Sequence, residues 1–261
     1  MSNDQWGNPV FSELPFAITF GLCPSISGYP VSGRNQGYLG TTSTTGKPVR
    51  ATTYTPQGTN AQRSFQSTSA NDSISGTGAQ ILSITYLNTS FQLKTDTIWL
   101  SGSSPANSNQ TDIAFIESMA VTQVGSGGGN AGTISIYTAT AAGGSIWGSI
   151  APGDNQTFWA HHYVPSGVTC YILQMSCGAT IAPGQMNLNH SGNPLLSSLP
   201  QQQIGMTISH PGGGTWDHEF TIPLAVPGPD LVWIVERPTF ATGSYSANGS
   251  TATAGFEWVQ F

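Results

Sequence analysis

The chain has 261 residues and a formal net charge of −6, and 38% of it is hydrophobic; that is too apolar for wholesale disorder and enough for one large β domain or two smaller ones with a proper core. Only 7% of the residues are charged, six basic against twelve acidic, where about 25% is usual, so several solvent-facing helices, whose wet sides need Glu, Lys and Arg, are excluded. Lys and Arg nowhere cluster into a phosphate-binding face for nucleic acid, and no run of about 18 apolar residues offers a membrane-spanning helix.

Residues 1–68 hold short apolar pieces, Phe16–Leu22 and Tyr29–Val31, among Gly, Pro, Ser, Thr and Asn, and Pro30, Pro48 and Pro56 interrupt any helix. They predict an extended N-terminal arm with one or two strands, lying either on a neighbouring subunit or around its own domain. Residues 69–261 read as an antiparallel β-sandwich. Between Ser69 and Ile136 the apolar runs Ile81–Leu87, Thr97–Leu100, Ile113–Val124 and Thr133–Tyr137 are separated by Gly, Ser, Asn and Pro clusters, the pattern of a twisted antiparallel block. A short helix capped by Asp112 competes over 113–124, but its ending in Val121-Thr122-Gln123-Val124 favours a strand. The glycine loop 125–132 can take φ > 0 at several positions, reversing the chain and returning 133–137 as the next strand.

Further along, Thr157–Val164 and Val168–Met175 alternate about Pro165-Ser166-Gly167 and predict a hairpin. Ile181–Leu199 is rich in turn residues and reads as a loop or short edge element. Gln201–Ser209, Glu219–Val226, Leu231–Arg237 and Phe256–Phe261 supply four more strands, with Pro223 confining its own to an edge or a bulge. About ten strands at this spacing predict an all-β, two-sheet sandwich, jelly-roll-like in arrangement.

Two groups of phrases carry a resemblance. The first is Ser-Ala-Asn-Asp (69–72), Gly-Thr-Gly-Ala (76–79), Thr-Asp-Ile (111–113) and Val-Gly-Ser-Gly-Gly-Gly-Asn-Ala-Gly-Thr-Ile (124–134); the second is Ile-Ala-Pro-Gly-Asp-Asn-Gln-Thr (150–157) followed by Tyr-Val-Pro-Ser-Gly-Val-Thr-Cys-Tyr (163–171). Over about 69–175 the chain resembles a group of tailed-bacteriophage virion structural proteins. The resemblance implies a particle component and brings no active-site residue with it; residues 1–68 and those after about 180 lie outside it.

The densest polar cluster is His210-Pro211-Gly212-Gly213-Gly214-Thr215-Trp216-Asp217-His218-Glu219. Neighbours on a strand face opposite ways, so at most Asp217 and Glu219 share a face, and the ligand spacing of a zinc helix is missing; the reading is a glycine-rich hairpin loop with a polar rim, not a metal site. His161 and His162 face apart for the same reason and read as packed beside Trp159 and Tyr163, in the core or at an interface. The loop 125–132 lacks the Lys-Ser/Thr ending of a nucleotide-binding loop. Among the aromatics, Trp147, Trp159, Trp216, Trp233 and Trp258 with Tyr163 and Tyr245 are read as exposed binding features. Trp216, Asp217 and His218 are the candidate glycan or partner contact, and Trp159, His161 and Tyr163 the candidate subunit interface. Cys23, Cys170 and Cys177 lack zinc spacing and read as buried free thiols of a protein assembled in a reducing cytoplasm, although Cys170 and Cys177 could also meet across a turn.

These readings give a non-enzymatic virion protein needing no cofactor and no export signal, assembled in the host cytoplasm. A capsid cement or decoration protein on the outside of the head is the first expectation. A tail, baseplate or fibre component touching a host glycan is the second. The expected partners are the major capsid protein or other virion subunits and further copies of the chain, a trimer being the simplest, but not nucleic acid or a membrane. A polysaccharide-degrading enzyme would need two facing carboxylates, with Glu117, Asp217 and Glu219 the first to test.

Overall fold

The computed structural model describes residues 2–3, 9–10, 31–39, 47–48, 59–138, 140, 144–179, 184–192, 195, 202–210, 213–238 and 252–260. Among these every regular element is a strand and every ladder is antiparallel, so the chain is all-β. The strands are β1 (Ser2–Asn3), β2 (Pro9–Val10), β3 (Val31–Leu39), β4 (Lys47–Pro48), β5 (Ser64–Ser67), β6 (Ala79–Leu87), β7 (Leu93–Trp99), β8 (Ala106–Asn107) and β9 (Phe115–Val124). They continue as β10 (Ile134–Tyr137), β11 (Ile146–Ile150), β12 (His161–Val164), β13 (Thr169–Ala179), β14 (Gly184–Ser191), β15 (Gln202–His210), β16 (Gly214–Pro227), β17 (Asp230–Pro238) and β18 (Ala252–Gln260).

Two apolar cores organise these strands, and β17 belongs to both. Its run Leu231-Val232-Trp233-Ile234-Val235 is buried throughout, as expected of a strand covered on both faces. Val232 and Ile234 join Cys170, Ile172, Met175, Met186, Leu188, Phe256 and Trp258, the filling between the sheet β16-β13-β18-β3 and the sheet β12-β17-β14-β15. These facing sheets are the two layers of the expected sandwich. Leu231, Trp233 and Val235 turn the other way, toward Phe65, Ile134, Ile136 and Trp147 of the sheet β11-β10-β5-β8 and Leu82, Ile84, Ile98 and Phe115 of the sheet β7-β6-β9. Each such large side chain withdrawn from water contributes roughly 1.5–3 kcal/mol.

Four of the phrases that carry the resemblance, those at 69–72, 76–79, 124–134 and 150–157, meet in one buried knot. Asp72 has no exposed surface; its Oδ1 accepts the N–H groups of Ala79 and Ala131, both at 2.8 Å, and its Oδ2 accepts the N–H of Gly132 at 2.8 Å and the hydroxyl of Ser67 at 2.5 Å. Asn130 and Asn155 exchange two bonds of 2.9 Å, each backbone N–H donating to the other's side-chain oxygen, while the Asn130 amide donates to the carbonyls of Gly132 and Ala151 at 2.8 Å. The glycine loop is therefore held as much as it turns. Of its glycines only Gly128 takes a positive φ, +75°; Gly125 is required by close approach, since a Cβ there would lie 2.3 Å from the Gly76 carbonyl oxygen. Gly125→Ala should cost about 2 kcal/mol or more through backbone displacement, and Gly128→Ala, with nothing within 4 Å of its Cβ, only about 1–2 kcal/mol of dihedral strain. Urea midpoints of the two variants measure the difference.

A second tie is made by Arg63. Its guanidinium is buried, donates to the carbonyls of Thr59, Ile113 and Thr138 at 2.7–3.2 Å, and lies 4.7 Å from the ring centre of Trp147. Three chain segments are thereby fixed around one cation, whose desolvation is offset by carbonyl dipoles and the indole face.

The structure departs from the sequence reading at three points. The glycine loop does not return 133–137 beside β9: the knot at Asp72 and Ser67 draws β10 between β5 and β11 in another sheet. The segments 157–164 and 168–175 do not form a hairpin, because Pro165-Ser166-Gly167, with Gly167 at φ +79°, arches across the sandwich so that β12 pairs with β17 and β13 with β16 and β18. Within 181–199 lies β14, an inner strand between β17 and β15, where polar Gln185, Asn187 and Asn189 mask the period of Met186 and Leu188. The reading of Cys170 and Cys177 as buried thiols holds and their pairing does not: both lie on β13 with no disulfide between them, about 23 Å of extended chain apart, which no disulfide spans, and burial pushes the Cys170 thiol up to about 12.

The strand reading of 113–124 holds, and β16 is an edge strand whose irregularity opposite Ile172–Gln174 accommodates Pro223. The span predicted as an arm contains β3, paired along its length with β18, and β5, the partner of β10; Phe16–Leu22 and Cys23 lie outside the described residues.

Candidate functional site

Within the polar cluster at 210–219, Gly214–Glu219 are strand positions of β16 and Gly213 stands at a bend with φ +73° just before them, while Pro211 and Gly212 lie outside the described residues. Trp216, Asp217 and His218 lie on β16 opposite Cys177, Ser176 and Met175. Trp216 is half-buried against the core between the sandwich sheets, His218 meets the Phe220 ring edge-on at 5.0 Å, and Asp217 and Glu219 point to solvent from the same face. The side chain of His210 lies outside the described residues.

The expected interface residues are turned inward. Trp159, His161 and Tyr163 are 3%, 0% and 1% exposed and are enclosed by this chain's own strands, which corrects their placement at a subunit surface. The strand β12 is covered on both sides, so both parities of His161-His162-Tyr163-Val164 are core. Trp147, Trp233 and Trp258 are buried as well.

His161 and His162 converge on Glu117, a carboxylate buried on β9. His161 Nε2 donates to the Glu117 carbonyl at 2.8 Å. The Glu117 Oε1 lies 3.2 Å from His162 Nδ1 and accepts the Tyr163 N–H at 3.1 Å. On its far side His162 reaches Gln260 Oε1 at 3.0 Å and stacks on Trp258 at 3.8 Å, and Trp258 Nε1 donates to Asn35 Oδ1 at 2.6 Å. Burial opposes ionisation of Glu117, but the His162 contact, the positive charge available on both imidazoles and the Tyr163 N–H outweigh it, holding the carboxyl below its usual range. This junction links β9, β12, β18 and β3, and a cavity of about 260 Å³ lies beside it, bounded by Arg34, Asn35, Glu117, Ser118 and residues 156–159. Glu117 Oε1 and the two imidazoles are hydrogen-bonded within the junction, whereas Glu117 Oε2 is buried without a hydrogen-bond partner, 3.7 Å from His161 Nε2. Among the described residues no three His, Cys, Asp or Glu side chains are placed to hold a metal ion, and no helix is long and apolar enough to cross a membrane.

The surface feature that stands out is the outer face of β7-β6-β9. The register sets three cross-strand rows there: Trp99–Ile81–Gln123, Thr97–Ser83–Ala120 and Thr95–Thr85–Ser118. Trp99 is 66% exposed and Leu93, beyond the last row on β7, 46%. None of these positions is ionisable. The two charges of β7 turn to the opposite face: Lys94 pairs with Asp112 at 2.7 Å, and Asp96 accepts the N–H groups of Asn109 and Gln110 and the Asn109 amide. Lys94 holds the Asp112 carboxyl below its usual range, with Tyr86 and Asn88 assisting. The open edge of β7 is partly closed too, because the Thr97 N–H donates to Asp96 and its carbonyl accepts from Asn109, a device that discourages pairing with another strand.

Trp99 was not among the aromatics singled out from sequence. Its signal was the alternation Leu93-Thr95-Thr97-Trp99, but hydropathy would turn that apolar-ended face inward.

No family model matches the chain, and a search of curated proteins finds no relative. Among solved structures, the chain is similar to one described as the structure of infectious bursal disease virus Gx strain, at 8% identity and a TM-score of 0.29, over 89% of this chain and 72% of the other. A likeness of that size fixes neither fold nor function.

Proposed function

We propose that this chain is a non-enzymatic structural protein of a tailed-phage virion, and that it serves as a cement or decoration subunit on the outer surface of the head. The observation that carries the reading is where the resemblance falls. Its phrases at 69–72, 76–79, 124–134 and 150–157 supply Asp72, Asn130, Asn155 and the glycines packed around them, a knot whose groups are spent on one another. A pattern that maintains a scaffold, without a reactive group, suits a particle component. Low charge and an Ile222 that is 79% exposed on the edge strand β16 supply apolar surface for contact with capsid subunits or with further copies of the chain, a trimer being the simplest closed arrangement.

Immunogold labelling of intact particles tests the location. Gold distributed over the head at many copies per particle is the expected result; gold confined to the tail would replace the cement reading with the tail or fibre one, and unlabelled particles would remove both. The tail reading is favoured by one observation, the solvent-facing Trp99, which is a better glycan platform than the half-buried Trp216.

A further inference from the structure

We propose that the outer face of β7-β6-β9 binds a neutral, extended polysaccharide, with Trp99 as the stacking platform. The chemistry of the face selects the ligand. An exposed indole presents a negative π face to the weakly positive C–H groups on the apolar side of a pyranose ring. Beside it stand hydroxyls, Thr97 and Ser83 in one row and Thr95 and Thr85 in the next, which exchange hydrogen bonds with sugar hydroxyls at little desolvation penalty.

Neutrality argues in the same direction. Lys94 and Asp96 are the charged residues of β7, and both are tied down behind the sheet, so the face offers nothing to an acidic or basic ligand. The outline fits a chain better than a single sugar: rows two residues apart repeat at about 7 Å, and three strands span about 10 Å. A protein partner is a poorer match. Interface centres are enriched in Tyr, Trp, Met and Arg and depleted in Ser, and here one Trp stands among hydroxyls. Addition of a strand from another copy is opposed at Thr97, whose N–H and carbonyl are already taken by Asp96 and Asn109. The proposal is independent of whether the subunit sits on the head or the tail.

The test is titration of the full-length chain with cellohexaose, maltohexaose, xylohexaose and chitohexaose, with a galacturonic acid hexamer as the acidic comparison, followed by calorimetry and intrinsic fluorescence. At least one neutral hexamer is expected to bind saturably, with affinity unchanged between low and high salt. Trp99→Ala should weaken that binding about tenfold or more, Trp99→Phe should recover part of it, and Thr95→Glu should weaken it while leaving the thermal midpoint in place, since both positions face solvent. Silence with all four neutral hexamers, equal affinity in Trp99→Ala, or salt-sensitive binding of the acidic hexamer alone would each overturn the proposal.

Discussion

Asp72→Asn is expected to lose about 2–6 kcal/mol of stability. Four donors converge on the carboxylate, three of them backbone N–H groups of residues 79, 131 and 132. An amide keeps one oxygen but turns an NH2 toward donors, and each buried donor left without an acceptor costs about 1–3 kcal/mol. Asp72→Ala should be at least as damaging. The damage should also be local in origin: hydrogen exchange in a partly stable background should release the amides of residues 130–134 and 79 before those of β13 and β18. A urea midpoint within about 0.5 M of wild type for Asp72→Asn would mean that the knot is ornamental.

Replacing Glu117 should change how stability depends on acid. Because the folded protein holds this carboxyl below its usual range, the unfolded chain binds the proton more readily. The stabilisation is therefore fully present above the unfolded value of about 4.3 and is lost as pH falls through the lower folded value. Wild type should hold a plateau from pH 5 to 7 and weaken steeply below about pH 4. Glu117→Gln, which keeps an acceptor for the Tyr163 N–H but has no charge to lose, should be less stable at pH 7 by about 2–3 kcal/mol and should show a shallower acid limb. Denaturation curves from pH 2.5 to 7 give both quantities. Parallel limbs for the two proteins would assign the acid response to other carboxylates.

What the sequence displayed most clearly was class and strand positions, because the alternation in β6 and the solid apolar run of β17 reflect burial directly. What it hid was partnership. Residues 161–164 and 169–179 look like a hairpin until their ladders are known, since a three-residue turn can join strands of one sheet or arch between two. Trp99 failed for a sharper reason: on β7 the charged residues face inward and the tryptophan outward, and the inversion exists only because Asp112, Asn109 and Gln110, from other segments, wait there to receive Lys94 and Asp96. His161 and His162 failed likewise, as a strand between two cores has no wet side and its polar residues need a buried partner, Glu117, that lies more than forty positions away.

The double burial of β17 has a consequence for the order of events during synthesis. Leu231, Trp233 and Val235 complete one core and Val232 and Ile234 the other, while β3 pairs with β18, Val31 opposite Gln260. Long-range pairing of this kind makes folding slow, and neither core can close on the ribosome before Val235 has emerged. A nascent chain must keep the apolar strands of its first 230 residues soluble without a finished interior. The scarcity of charge leaves that task to Ser, Thr, Asn and Gly, or to a chaperone, and a prematurely terminated chain would leave both cores open.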